Sequence, residues 1–169
     1  LKHDSIAARI AGSLQLAEQT GKVLEVGPGM GMLTKYLLQN PAYTTYAVEA
    51  DRDMVAYLQQ HYPSLGERLI AKDFLEFDPV SVFGTEAFCL IGNFPYNIST
   101  QILFGMLEHR TLIPEMVGMF QKEVADRIVS PPGSKVYGIT SVLLQAFYKT
   151  EYLFTVEPGS FNPPPKVRS

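Results

Sequence analysis

Cysteine is nearly absent from this 169-residue sequence, with Cys89 the only one. A single thiol cannot close an intramolecular disulfide, and it has no cysteine neighbour with which to hold zinc. Cys89 lies in an apolar stretch and reads as a small buried hydrophobe. The three histidines, His3, His61 and His109, are scattered without ligand spacing, so no metal site is expected. No apolar run approaches the roughly 18–20 residues needed to span a bilayer, and no signal-peptide pattern is present. A membrane partner is therefore not expected, and a reducing cytoplasm is. Internal repeats and low-complexity segments are also missing. Positive charge is scarce: 14 Lys and Arg stand against 17 Asp and Glu, a net charge of −3. That balance runs against the basic character usual in nucleic-acid-binding domains. The average hides an asymmetry, since residues 1–108 carry −5 and residues 109–169 carry +2. A phosphate-binding surface would belong to the second part.

What is present is a core-forming composition. Hydrophobic residues make up 46% and charged residues 18%, enough for one ordinary globular domain. The chain opens on Leu1-Lys2-His3-Asp4, without an initiator Met, and stops just after a proline run. Both ends read as cuts in a longer protein. Ile6, Ile10, Leu14 and Ala17 predict a first amphipathic helix from Asp4 to Gly21. Lys22 to Val26 is a short apolar strand, and residues 27–31 form a tight loop. A helix on Leu33, Tyr36 and Leu37 follows, then a strand over Thr44 to Glu49 and a helix on Met54, Val55 and Leu58. A third strand runs from Leu69 to Lys72 and a fourth from Phe88 to Gly92. A helix on Ile102, Leu103, Met106 and Leu107 leads to a fifth strand, Met116 to Phe120. Val124 and Ile128 mark a short helix, Ser141 to Tyr148 another, and Tyr152 to Val156 a late strand. Strands alternating with helices imply an α/β fold with a largely parallel sheet. Ligands of such sheets bind outside the carboxyl ends of the strands.

Each candidate functional residue falls at such an end. Gly27, Gly29 and Gly31 close the first strand, where missing side chains let the backbone turn sharply and a ligand approach. Glu49 ends the second strand 22 residues after Gly27, the place for a carboxylate that takes both ribose hydroxyls of a nucleoside. Asp73 ends the third, where a carboxylate can accept from an adenine amino group. The dinucleotide fingerprint Gly-x-Gly-x-x-Gly sets its last glycine one residue later, so that a helix N-terminus meets pyrophosphate. Here the third glycine is early and Pro28 fills the first gap. Glu25, just before the loop, suits a cationic ligand better than a pyrophosphate. S-adenosylmethionine, with a sulfonium, an ammonium and no phosphate, fits better than NAD.

Asn93-Phe94-Pro95-Tyr96 ends the fourth strand. Asn93 offers a side-chain carbonyl, and Pro95 holds Phe94 extended so that loop carbonyls can point into a cleft. Tyr96 supplies a flat face for stacking. Two acceptors and a ring suit an amino group attached to a planar heterocycle, such as a nucleobase.

Taken together, residues 25–31, Glu49, residues 72–75 and residues 93–99 resemble the ribosomal-RNA adenine dimethyltransferase family. The similarity continues through residues 121–124, 134–138 and 161–167, and so covers nearly the whole chain in order. The Asn-x-Pro-Tyr-Asn-Ile-Ser run is the specific part. The resemblance implies a Rossmann-like class I methyltransferase, with a mostly parallel seven-stranded sheet and a late antiparallel hairpin. It implies that residues 1–169 are a catalytic, S-adenosylmethionine-binding domain. A lead-in before Leu1 and a C-terminal helical domain would lie outside the sequence. By position, Leu1, Gly27, Glu49, Asp73 and Asn93 match the family's cofactor contacts. Asn93 and Pro95 match those facing the target adenine, and Tyr96 and Phe161 match the aromatic stacking positions. The implied partner is small-subunit rRNA or the immature small subunit, met by a monomer. The implied reaction places two methyl groups on the exocyclic nitrogen of each of two adjacent adenosines near the 3′ end of that RNA.

Other readings remain beside it. One family branch methylates a large-subunit adenosine and confers macrolide-class resistance; Pro163-Pro164-Pro165 before Lys166 resembles the small-subunit branch. A non-catalytic ribosome-assembly factor that kept the fold is a second alternative, and a nicotinamide oxidoreductase a third. Lys122, Arg127, Lys135 and Lys149 form a candidate phosphate track. Phe94 stands where the family usually has a smaller aliphatic residue, and Arg168 where an acidic one is common.

Overall fold

Short apolar runs broken by glycine and proline force the backbone of this chain into a sheet flanked by helices. The computed structural model describes residues 1–134, 138–161 and 165–169, which form two units, His3–Gly118 and Leu1–Lys2 with Met119–Ser169. In the first unit, α1 (Asp4–Ala11) and α2 (Ala17–Thr20) lead into β1 (Lys22–Val26). α3 (Met32–Leu38), β2 (Thr44–Val48), α4 (Arg52–His61) and β3 (Leu69–Ile70) follow, with a 3₁₀ turn at Pro63–Arg68. A second 3₁₀ turn at Phe74–Glu76 and the single-turn α5 (Val80–Phe83) precede β4 (Cys89–Asn93), α6 (Ser99–Glu108) and β5 (Met116–Met119). The unit boundary falls at the end of β5.

The five strands stand in the order β3-β2-β1-β4-β5. β1 runs parallel to both neighbours, with Val23 level with Thr45 on one side and Cys89 on the other. β2 and β3 are parallel through Ala47–Leu69 and Val48–Ile70. The order reverses direction between β1 and β4, which makes their carboxyl ends the crevice where such sheets take ligands. Val23, Leu24, Val26, Ala47, Val48, Leu90 and Ile91 are all buried, as a parallel sheet covered on both faces requires. Each of the valine, leucine and isoleucine side chains contributes about 1.5–3 kcal/mol of burial. Phe83 stacks on Phe88 at 4.1 Å and meets Tyr46 edge-on at 4.9 Å, which explains why α5 persists at a single turn.

Two sequence expectations change in this unit. The helix expected from Asp4 to Gly21 is broken after Ala11. The Glu115 carboxylate accepts from the Gln15 and Leu16 N–H groups at 2.9–3.0 Å, which draws that backbone out of the helix. The third strand stops at Ile70 rather than Lys72, because the Lys72 N–H turns back to the Ile70 carbonyl and Asp73 caps the next 3₁₀ turn.

In the second unit, α7 (Lys122–Val129) packs on α8 (Ile139–Phe147). The Gln145 amide donates to the Ile128 and Ser130 carbonyls at 2.9 Å, and Ser141 Oγ donates to the Arg127 carbonyl. α8 thereby satisfies the open carbonyl end of α7. A 3₁₀ turn at Pro158–Ser160 binds the amino end of the chain, since the Lys2 N–H donates to the Ser160 carbonyl at 2.9 Å. The late strand expected at Tyr152–Val156 is irregular backbone, and the described residues hold five strands rather than seven. Val156 and Ser169 nevertheless exchange both backbone bonds, at 2.7 and 3.0 Å, the pattern of one antiparallel pair. Lys135, Pro163 and Pro164, singled out above, lie outside the described residues.

Candidate functional site

The loop after β1 is shaped by three left-handed glycines, Gly27, Gly29 and Gly31, with φ of 68°, 57° and 86°. That conformation costs an L side chain about 1–2 kcal/mol. A side chain at Gly27 or Gly29 would meet no atom within 4 Å, so the loop borders open space there. At Gly31 a side chain would run into the Tyr62 ring, so this glycine also permits close packing within the protein. The loop is tied on its other side to β2. The Gly27 N–H donates to the Val48 carbonyl, and the Gly29 N–H donates to Glu49 Oε1, both at 2.9 Å.

Glu49 lies one residue beyond β2, its own N–H bonded to the Ile70 carbonyl at 2.9 Å. Oε2 accepts from the Asp51 N–H at 3.1 Å. Each oxygen keeps acceptor capacity for a further donor such as a ribose hydroxyl. Asp73 is exposed beyond β3, and its Oδ1 accepts from the Leu75 N–H at 3.0 Å. Glu25 behaves differently from both. It is only 2% exposed, and Thr34 Oγ1 on α3 donates to it. Burial, opposed by the Thr34 bond and reinforced by the Glu49 charge, pushes its carboxyl up to about 8.

Asn93 closes β4 and is half-buried. β1 and β4 run in register from Val23–Cys89 to Glu25–Ile91. Gly27 follows the last residue of β1, and Asn93 is the last residue of β4. Between them Gly92 is wedged: a Cβ there would fall 2.6 Å from the Val26 carbonyl oxygen and 2.8 Å from the Phe94 ring. Phe94 is 1% exposed and fills core space. The Pro95 carbonyl accepts from the Ile98 N–H at 3.2 Å, closing a turn into α6, and retains one lone pair. Tyr96 is half-buried in that turn, and its carbonyl accepts from Ser99 Oγ at 3.2 Å.

The first unit thus brings together Glu25, Gly27, Gly29, Gly31, Glu49, Asn93, Pro95 and Tyr96 around the carboxyl ends of β2, β1 and β4, with Asp73 beyond β3. Leu1 and Phe161 belong to the second unit. Leu1 is half-buried. Phe161 is 8% exposed, its N–H bonded to the Pro158 carbonyl at 3.1 Å. Of the phosphate track, Lys122 pairs with Asp126 at 2.9 Å and Arg127 with Glu123 at 2.6 Å along one face of α7. Sequence reasoning missed Thr34, Tyr62 and Gly92. Only Gly92 carried a signal, because a glycine inside a strand marks a close backbone approach.

The donor set around the crevice contains no cation: residues 23–34, 44–51 and 89–97 hold no Lys or Arg. It offers carboxylates, carbonyls and an amide, which suit hydroxyl, amino and positively charged groups rather than phosphate.

A family model described as ribosomal RNA adenine dimethylase matches residues 1–169. Ribosomal RNA small subunit methyltransferase A of Flavobacterium johnsoniae is 56% identical over 169 residues, all of this chain and 64% of that protein. The protein of the same name from Cytophaga hutchinsonii is 53% identical, with 100% and 65% covered. The crystal structure of a dimethyladenosine transferase from Plasmodium falciparum superposes with a TM-score of 0.81 at 30% identity, covering 99% of this chain and 60% of that one. A putative RNA methyltransferase from Pyrococcus horikoshii, at 17% identity and a TM-score of 0.51, shares the fold alone. The chain spans about two thirds or less of the length of these proteins. Its five-stranded α/β unit is a Rossmann-like methyltransferase fold with a parallel sheet.

Proposed function

The chain belongs to the ribosomal RNA adenine dimethylase family, and from that membership we propose that residues 1–169 are the catalytic domain of a small-subunit rRNA adenine dimethyltransferase. The substrate is the exocyclic amino nitrogen of two adjacent adenosines near the 3′ end of that RNA. One observation carries the reading: the glycine loop follows β1 and the Asn93-Phe94-Pro95-Tyr96 motif closes β4, its parallel neighbour, so both lie at the carboxyl ends that flank the crevice.

The crevice suits S-adenosylmethionine by its donor set. Gly27 and Gly29 leave room beside the loop, Glu49 has acceptor capacity for ribose hydroxyls, and Asp73 presents a carboxylate to an adenine amino group. Leu1, Gly31 and Glu25 complete the proposed cofactor set, with Asn93 shared between the two sides. When bound, S-adenosylmethionine supplies an electrophilic methyl group on a sulfonium.

The protein's part is placement and polarisation. An adenine amino nitrogen is a weak nucleophile because its lone pair is delocalised into the ring. The Asn93 side-chain carbonyl and the free lone pair of the Pro95 carbonyl accept its two hydrogens, which favours a pyramidal nitrogen with its lone pair exposed. Tyr96 offers a face on which the base stacks once it has left its own stack. Phe161 enters as the second aromatic on the family resemblance. We further propose that the full protein completes a seven-stranded sheet with a late antiparallel hairpin, begun at the Val156–Ser169 pair. It acts as a monomer, in the cytoplasm where its RNA is.

The test uses the full-length protein, S-adenosylmethionine and immature small subunits, with primer extension across both rRNAs. Stops at two adjacent adenosines near the small-subunit 3′ end support the reading. Asn93→Ala and Tyr96→Ala should each remove most turnover while cofactor still binds. Wild-type rates in either variant, or stops confined to large-subunit RNA, overturn it.

A further inference from the structure

Glu25 is the buried carboxyl of the sheet, and among the described residues no cation is paired with it. Its surroundings can be taken element by element. Its register partners are Ala47 on β2 and Ile91 on β4, both apolar. Beyond β2 stands Glu49, whose charge opposes ionisation of Glu25. α3 contributes the neutral Thr34 hydroxyl, and its Lys35 is turned to Asp4 of α1 at 3.7 Å. After α4, the Tyr62 phenol is pushed up by burial and then by the charges of Tyr57, Glu25 and Asp4. The cation at the other end of β1, Lys22, is held by Glu86 at 2.6 Å.

A carboxylate buried without a cation is costly, and one hydroxyl donor offsets only part of that cost. Thr34 fixes where Glu25 points and leaves the charge unanswered. Two residues further on, the chain opens into the loop whose Gly27 and Gly29 border free space. Among the described residues the carboxyl has a hydroxyl donor and no counter-charge, and the glycine loop begins two residues after it.

We propose that Glu25, positioned by Thr34, is a proton-coupled receptor for the positive charge of the methyl donor, neutral in the empty crevice and ionised when the cation seats. The inference rests on the cofactor reading above. Burial first, and the Glu49 charge in addition, hold the carboxyl at about 8 in the ligand-free protein, with the Thr34 bond opposing them. At neutral pH the acid therefore carries its proton. A cation in the crevice draws the pKa down, and the proton leaves to solvent. Binding then releases up to one proton. Affinity rises up to about tenfold per pH unit on the acid side of that titration and levels above it.

Calorimetry on the full-length protein at pH 7, in phosphate and in Tris, reads proton release directly, because the two buffers differ in ionisation enthalpy. S-adenosylmethionine should release most of one proton. 5′-Methylthioadenosine, a neutral nucleoside lacking both the sulfonium and the ammonium, should bind with none. Glu25→Gln should bind S-adenosylmethionine without release and with affinity flat below about pH 7, where the ligand's own ammonium stays charged. Thr34→Val should move the pH midpoint of affinity upward, and Thr34→Ser should restore it, which a merely structural role would not do. Carbon-13 titration of the Glu25 carboxyl in the ligand-free wild type serves even where a variant fails to fold. A midpoint in the ordinary carboxylate range overturns the proposal. Binding of S-adenosylmethionine with no proton exchange overturns the proposal alone. Failure of both nucleosides to bind overturns the cofactor reading, and the proposal with it.

Discussion

Replacing Gly92 by alanine should damage both the fold and the site. The added Cβ would sit 2.6 Å from the Val26 carbonyl oxygen, where ordinary contact begins at 3.4 Å. Backbone on the neighbouring strand cannot rotate away as a side chain tip can, so β1 and β4 must part by about 0.8 Å, or Phe94 must leave its place. Overpacking of this kind costs about 1–3 kcal/mol. With a urea slope of about 1–3 kcal/mol per molar, the unfolding midpoint should fall by roughly 1 M. The neighbouring residue is Asn93, so the same displacement moves the proposed acceptor for the target base. A shift approaching 1 Å in a positioning group lowers rate by about a hundredfold. The assay is paired: urea unfolding by circular dichroism, and methyl transfer to immature small subunits by the full-length protein. Gly105→Ala on α6 is the control, since its Cβ would meet only Phe74 at 3.8 Å. It should leave the rate unchanged and stabilise by up to about 1 kcal/mol. Wild-type midpoint and rate in Gly92→Ala would refute the reasoning.

Three further outcomes can be read from stability alone. Asp51 caps α4, accepting from the Asp53 and Met54 N–H groups at 2.8 and 3.3 Å, and Asp51→Ala should cost about 1 kcal/mol in urea unfolding. Glu115→Ala removes the acceptor of the Gln15 and Leu16 N–H groups, and should cost about 2–3 kcal/mol, with hydrogen exchange rising between α1 and α2. Glu25 should make stability fall with rising pH. Its pKa is raised on folding from 4.5 to about 8, so its full contribution is present below about 4.5 and is lost as the pH rises through about 8. At 1.36 kcal/mol per unit the ceiling is about 5 kcal/mol, and Glu25→Gln should flatten that part of the curve of unfolding free energy against pH. Parallel curves for variant and wild type would contradict it.

How much of this could be read beforehand follows from which interactions are local. β1, β2 and β4 announced themselves as short apolar runs ending at glycine or polar residues, and α3 and α6 by helical spacing. Gly27, Gly29, Gly31 and Glu49 were legible because a parallel sheet dictates where a glycine loop and the next strand's carboxylate must fall. Failures came where distant residues decided. The spacing of Ile6, Ile10, Leu14 and Ala17 continues through the break after Ala11, and Glu115, 100 residues from Gln15, makes that break. The expected third strand counted Lys72, whose N–H in fact serves a turn. Tyr152–Val156 has β-favouring residues, yet its backbone is irregular, and the Val156–Ser169 bonds are those of one residue pair rather than a ladder. Glu25 was legible as an acid just before the glycine loop, but its burial against Thr34 was not, since Thr34 and Tyr62 come from elements whose packing the sequence does not specify. The position of Asn93, Pro95 and Tyr96 at the end of β4 was legible from the apolar run before them. That the Pro95 carbonyl is already half engaged by Ile98 is a detail of turn geometry.

The most direct test of the account is mass spectrometry of small-subunit rRNA after incubation of immature subunits with the full-length protein and S-adenosylmethionine. Two adjacent dimethyladenosines near the 3′ end, absent when Asn93 is alanine although S-adenosylmethionine still binds, is the predicted result. Unmethylated small-subunit RNA from a protein that binds S-adenosylmethionine, or equal methylation by the Asn93→Ala variant, would contradict the claim that this motif receives the base.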